Sequence, residues 1–443
     1  MTRRSWPRQI AVVAVAALVL MTPSLLWGPG AADSAIYNYV WTKQFGELLG
    51  QGVLYPRWLP HSWGGLGSPA FYFYPPLAFY VSGLLDLAGL TTLQAINGAA
   101  LLAMFASGVT MSAWLRFKGA NPLWALLYMA APYHLYDWYG RAGLAEFSAF
   151  AWLPLVALAL DAQPRRWATP LLAISFAGLV MTHLPAALLT SVGLIAPMVV
   201  RRREHLAAYA FAGFLGLGLS AIYLLPALTL QHHISTAAMT SGIYRPANWA
   251  PWGPYAALWV APFALAPVAL AAGGRRWFWL GVVVFGAAMS LAVIPMVWSL
   301  PGLDRVQFPW RMLVVVEFAA VTAAALGPPR LVFAALALAL SAVPYARLFE
   351  VSSQALHLRY AADTERDLPD APEYLPAGSD LSGLTASNRV PDLNKAATPT
   401  LSDRPVAQTR WGAWISGLFL ALLAAICGPR LRPRARVKRS RAG

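Results

Sequence analysis

Charge is scarce in this sequence. Only 12% of the 443 residues are Asp, Glu, Lys or Arg, while 58% are hydrophobic. Soluble domains carry roughly 25% charged residues, so about half of the usual solvating surface is missing. That excludes a soluble globular enzyme, and the apolar excess excludes a disordered chain. Cysteine is nearly absent. The single Cys427 excludes a disulfide framework and a Cys-based zinc site. Acids are fewer than bases, 18 against 33, for a net charge of +15. The excess is not a nucleic-acid patch. It lies in short clusters between apolar runs and in a basic run from Arg430 to Arg441, a distribution that membrane topology produces. No GxSxG or Walker A motif occurs, and no HxxxE or HxxH zinc pattern is assembled.

What the sequence has instead is long apolar runs. Stretches of about 17–25 residues mark membrane spans. They fall near 9–28, 93–115, 120–136, 147–161, 167–182, 184–200, 206–230, 254–272, 277–298, 311–327, 331–348 and 411–428. The expected fold is all-α and polytopic, with about 12 transmembrane helices. With Arg3, Arg4 and Arg8 cytoplasmic, the short basic clusters at Arg116/Lys118, Arg165/Arg166, Arg201–Arg203, Arg275/Arg276 and Arg330 all fall on the cytoplasmic side. Both termini are then cytoplasmic. Asp161 and Glu204 are the acids in the cytoplasmic connections, and Glu317 lies within a span. The N-terminus also carries a signal-like pattern, Arg3 and Arg4, an apolar run and then GPGAADS. The run continues through Trp27, which favours an uncleaved anchor.

The organisation that follows is a transmembrane module over 1–348, an outer loop over 349–410, a last span at 411–428 and a basic cytoplasmic tail at 429–443. The first outer loop covers 29–92. Within it, Phe71–Leu90 is almost long enough to span, but crossing would invert the charge pattern, and the segment contains Pro75–Pro76 and Asp86. It reads as a juxtamembrane or re-entrant helix. The segment 349–410 has no clear periodicity and reads as loop with little core.

Candidate functional residues gather in the outer loops. Asp33 stands just beyond the first span, followed by GELLGQGVLYPRW and WGGLGSPAFYFYPPL. Arg57 carries a forked guanidinium suited to phosphate, beside Tyr55. An aromatic belt is the plain alternative for the loop's Tyr, Trp and Phe residues. The second outer loop, PYHLYDWYGRAGLAE, places Asp137 and Glu146 around Arg141. Two carboxylates there suit a divalent cation or a general base. A local ion pair of Arg141 with Asp137 or Glu146 is the structural alternative. His183, in MTHLPAAL, sits at the outer end of a span, where packing is the plainer role. Gln307 and Arg311 belong to a further outer turn, WSLPGLDRVQFPWR. Arg311 there suits a phosphate or a phospholipid head group.

Taken together, Asp33 after the first span, GQGVLYPRW, GLGSPAFYFYPPLAFY, APYHLYDWYGRAGLAEF, THLPAA and LDRVQFPWR resemble the GT-C superfamily of integral membrane glycosyltransferases. The nearest resemblance is to the bacterial membrane family labelled 6-pyruvoyl-tetrahydropterin synthase-related. The matching stretches run from Asp33 to about Arg311. The resemblance implies a GT-C-like fold in a bacterial inner membrane. It implies sugar transfer from a polyprenyl-phosphate carrier on the outer face, with inversion at the sugar, to a glycan, lipid or protein acceptor. Asp33 is the implied key acid and Glu146 the second. Tyr55, Arg57, Asp137, Arg141, His183, Gln307 and Arg311 are the expected substrate-binding residues. Two departures stand out. The family's D-H-x-x-H is here Asp33–Ser34–Ala35–Ile36–Tyr37, and Leu144–Ala145 precede Glu146 where a metal-binding acid pair ends in Glu. No cofactor is assigned, and a divalent cation is the one the carboxylates could take. WWDYG is absent, which argues against protein N-glycosylation.

Two other classes fit the spans. A lipid transporter or flippase suits twelve helices, and Glu317 inside a span favours it. Internal repeats and paired broken helices do not stand out, however, and the polar groups lie at the outer edge. A non-catalytic scaffold of an envelope assembly complex is favoured by the missing histidines.

Overall fold

The computed structural model describes residues 6–29, 34–236, 245–250, 252–253, 260–274, 276–327, 330–355, 370–379 and 396–428. These residues are all helix and connection. Their extended pairings are two isolated bridges, Leu59 with Ser68 and Ile234 with Pro376. The chain is a helical membrane protein. Seven helices are long and apolar enough to cross a bilayer: Trp6–Trp27, Thr92–Phe117, Leu144–Asp161, Leu184–Arg201, Pro309–Leu326, Leu331–Glu350 and Ala407–Cys427. An eighth candidate, Arg203–Leu219 with Ala221–Thr229, is bent by 74°.

Each of the twelve apolar stretches carries helix, but the expected count of about twelve full spans is larger than the number of long helices. The reason is local. The 120–136 stretch is cut at Pro122 and Pro132 into a turn, a short helix Ala125–Met129 and the helix Pro132–Tyr139. Ala168–Thr182, Ala261–Gly273 and Trp277–Ser290 are apolar but shorter than a span. Phe71–Leu90 is likewise not one helix. Pro75–Pro76 separates a short turn of helix, Ala70–Phe73, from Leu77–Leu87. Before it lies a further helix, Ala35–Gly50, packed against Leu77–Leu87.

Lipid-facing surface is read directly from exposure. The helices Leu331–Glu350 and Ala407–Cys427 are apolar yet bury little of their surface. Leu331 is 89% exposed and Trp414 76%. In water such stripes would aggregate; in a bilayer they are ordinary.

Inside, two cores form. One is built on Thr92–Phe117, Leu144–Asp161 and Pro309–Leu326, with Trp114, Phe150 and Phe318. The other is built on the N-terminal helices, with Trp41, Phe45, Phe71 and Phe79. Helix Pro132–Tyr139 is wedged at their seam. It gives Tyr133 and Tyr136 to the first core and Leu135, Trp138 and Tyr139 to the second. Its two N-terminal amides are capped from a distant helix: Tyr133 N donates to Glu317 Oε1 at 2.6 Å and His134 N to Glu317 Oε2 at 3.0 Å. The acid that favoured transport from its place in a span is thus a buried helix cap.

The basic connections gather at the other end of the bundle. Lys118 pairs with Asp161 at 2.5 Å, Arg202 reaches Asp161 and Gln163, and Arg165 lies over Phe117. One expectation about the C-terminal half is corrected. The span 331–348 continues as helix to Ala355, and residues 370–379 are not empty loop, since Asp370, Ala371, Tyr374 and Leu375 are buried. Ala371 and Tyr374 join the second core, Tyr374 beside Trp41 and Phe73, which a sequence without periodicity does not reveal.

Candidate functional site

The seam between the two cores holds the densest buried charge among the described residues. Helix Pro132–Tyr139 ends at Gly140, and the chain turns through Ala142, at φ 51°, into the span that begins at Leu144. This turn brings positions 137, 141 and 146 onto one point. Arg141 Nη1 lies 2.7 Å from Asp137 Oδ1 and 2.9 Å from Glu146 Oε2. Gly143 is required by the closeness of the turn, because a Cβ there would stand 2.7 Å from Asp137 Oδ1. The local pair expected from spacing therefore forms with both acids at once and is buried rather than exposed.

Arg311 completes the set from a remote segment. Pro309 starts its helical turn, and Arg311 Nε sits 3.1 Å from Glu146 Oε2 as an ion pair. Tyr133 donates its hydroxyl to Glu146 Oε1 at 2.6 Å. Glu146 therefore has both oxygens engaged, one by a phenol and the other by two guanidiniums. Two cations balance two carboxylates, which is how ionised groups persist in a buried place. His183 is buried between Ala168–Thr182 and Leu184–Thr190, near enough to feel Glu146, Arg141 and Arg311. Its Nδ1 accepts from the Ala186 amide at 3.3 Å, so capping is its visible work.

The remaining candidates separate. Asp33 lies outside the described residues. The residue after it, Ser34, donates its amide to the Arg141 carbonyl at 3.0 Å, and Asn38 Nδ2 donates to the Ala142 carbonyl at 2.6 Å. The helix that follows Asp33 is thus tied to the charged turn. Arg57 does not join the cluster. Its Nη2 donates to the Ile222 carbonyl at 2.8 Å and its guanidinium lies 3.6 Å over the Tyr55 ring. Burial pushes the Tyr55 hydroxyl pKa up, against the pull of Arg57. Gln307 is half-buried and makes no hydrogen bond among the described residues.

Some participants were not foreseen. Tyr133 is inside the quoted motif but carries no spacing signal for its bond to Glu146. Tyr74 lies within the electrostatic reach of Arg311, Glu146, Arg141 and Asp137. Glu373, from 370–379, feels Arg311 across the gap between distant parts of the chain. For a cation, Arg141 already stands between Asp137 and Glu146. Among the described residues no group of three or more His, Cys, Asp or Glu side chains is placed to hold a metal ion.

Comparisons of the chain with protein-family models, with curated proteins and with solved structures find no match.

Proposed function

We propose that this chain is a membrane glycosyltransferase of GT-C type, moving a sugar from a polyprenyl-phosphate carrier to an envelope acceptor on the outer face of an inner membrane. The observation that carries the reading is the buried Asp137–Arg141–Glu146–Arg311 cluster. It lies at the end of the bundle opposite the basic connections, where a lipid-linked phosphate would meet the protein. A donor with its phosphate at this depth needs fixed positive charge as the bond to the sugar breaks. Arg311 and Arg141 are preorganised for that by Glu146 and Asp137, with no rearrangement at the moment of reaction. Asp33, next to the Ser34 anchored on Arg141, is the key acid that the resemblance assigns.

A second reading has its own observation. Since both Glu146 oxygens are engaged, the cluster also suits a purely structural lock in a scaffold protein. Glu317, the residue that favoured transport, caps the helix Pro132–Tyr139.

The test compares polyprenyl-linked sugars and envelope glycolipids by mass spectrometry in a deletion strain, the same strain with wild type, and the same strain with Asp33→Asn at matched expression. The transferase reading expects the deletion and the variant to lose one glycosylated species and accumulate its donor. A variant that restores the wild-type profile favours the scaffold.

A further inference from the structure

The cluster that carries the proposed function contains no free base. Glu146 and Asp137 both hold Arg141, and Glu146 also holds Arg311 and Tyr133. Proton transfer needs a carboxylate with an available oxygen beside the reacting centre. Glu373 offers one, on a segment far along the sequence.

Residues 370–379 are clamped on both sides of a single turn. Upstream, the Trp41 indole donates to Asp370 Oδ1 at 2.8 Å, and the Ala371 amide donates to the same oxygen at 2.7 Å. Downstream, Ser235 N donates to the Leu375 carbonyl at 2.9 Å and Ala377 N to the His233 carbonyl at 3.0 Å. Tyr374 packs in parallel on Phe73, with ring centroids 6.3 Å apart. Between these clamps lies the turn Pro372–Tyr374, with Glu373 at its centre. The Glu373 side chain is half-buried, and among the described residues its carboxylate is held by nothing but its own amide. Its backbone is fixed and its head group is not committed. The charged groups that face it are Asp370 from its own segment and Arg311 from the helix starting at Pro309. Tyr374 is the phenol beside it.

We infer that Glu373 is the proton acceptor of this site, taking the proton of the acceptor hydroxyl while Arg311 meets the departing phosphate. The inference rests on the transferase reading. In the step, the acceptor oxygen bonds to the sugar's anomeric carbon. The bond from that carbon to the carrier's phosphate oxygen breaks, and its electron pair stays on the phosphate. The acceptor's proton passes to Glu373, which returns it to water. No oxidant or metal is consumed. Burial and the Asp370 charge raise the Glu373 carboxyl to about 7, against the pull of Arg311, so that near neutral pH both of its forms are populated. The 370–379 segment then completes the site instead of spacing two spans.

The experiment uses the full chain in the deletion strain, complemented with wild type, Glu373→Gln, Glu373→Asp or Asp33→Asn, at matched membrane levels. The readout is the ratio of glycosylated product to accumulated donor, with the medium set between about pH 6 and 8 to control the outer face. The expected result is that Glu373→Gln lowers the ratio by about 10²–10⁴-fold and Glu373→Asp restores part of it. Wild type should rise with pH through about 7 as the base form grows, while the residual activity of Glu373→Gln stays flat. Full activity of Glu373→Gln, with loss in Asp33→Asn, overturns the assignment and leaves the transferase reading standing. A deletion with an unchanged glycolipid profile overturns both. Should Glu373→Gln fail to reach the membrane, a wild-type ratio flat from about pH 6 to 8 overturns the assignment.

Discussion

The span Leu144–Asp161 carries an ion cluster at each end, and the two are built differently. At its start, Glu146 is joined by Asp137, Arg141 and Arg311, with side-chain exposures of 2%, 0%, 6% and 11%. At its end, Asp161 is joined by Lys118 and Arg202, with exposures of 22%, 25% and 28%. The second cluster can exchange each protein partner for water. The first cannot, so every charge there depends on the others. An arrangement that demands full compensation also fixes geometry, and fixed charge is what a site for a phosphate uses. The half-buried cluster ties connections together and asks for no such order.

The largest effect should come from the centre of the buried cluster. Arg141→Met leaves Asp137 and Glu146 facing each other without their shared cation. A loss of about 3–5 kcal/mol is expected, seen as a lower thermal-unfolding midpoint in detergent. Adding Glu146→Gln to Arg141→Met should recover part of it, since the two residues act as one unit. Equal losses in the single and double variants would mean that packing, not charge compensation, sets the cost.

Next comes the cap that holds the cluster's helix. Glu317→Gln keeps one acceptor but turns an amide NH₂ toward a backbone N–H of Tyr133 or His134. A cost of about 1–3 kcal/mol follows from one unsatisfied buried donor. Hydrogen exchange at the Tyr133 and His134 amides should rise, while amides near Asp161 stay protected. Uniform loosening across both ends would show that the seam helix is not a separable element.

How far these features were legible depends on how local they are. Hydropathy marks the helices because lipid forces every backbone polar group to be satisfied within the segment. Prolines then decide which stretches are full spans, and Pro122 and Pro132 divide one run that composition alone would count as a crossing. Asp137, Arg141 and Glu146 were readable as a group because four and five residues separate them on one turn. Arg311 as a partner of Glu146 was not, since that contact joins residues 165 apart and depends on how two helices pack. Arg57 was assigned to phosphate by residue type, and its Nη2 bond to the Ile222 carbonyl of a distant helix carries no signal in the sequence. Glu373 had no signal, because its segment is held by Trp41, Phe73 and His233 from other parts of the chain, which contact Asp370, Tyr374 and Ala377.

The smallest effect should be at the half-buried end, and it tests the comparison most sharply. Asp161→Asn removes the carboxylate that Lys118 and Arg202 share. Arg202 keeps its bonds to the carbonyls of residues 161 and 163, so the connection stays stitched by backbone. Lys118 can turn to water at little cost, being a quarter exposed. The expected loss is at most about 1 kcal/mol. It should vanish at roughly 1 M salt, where the screening length is about 3 Å, whereas the cost of Arg141→Met should persist because solvent ions do not reach that pair. If Asp161→Asn instead costs as much as Arg141→Met and resists salt, burial does not separate the two clusters. The claim that the buried one is a preorganised site would then lose its physical basis.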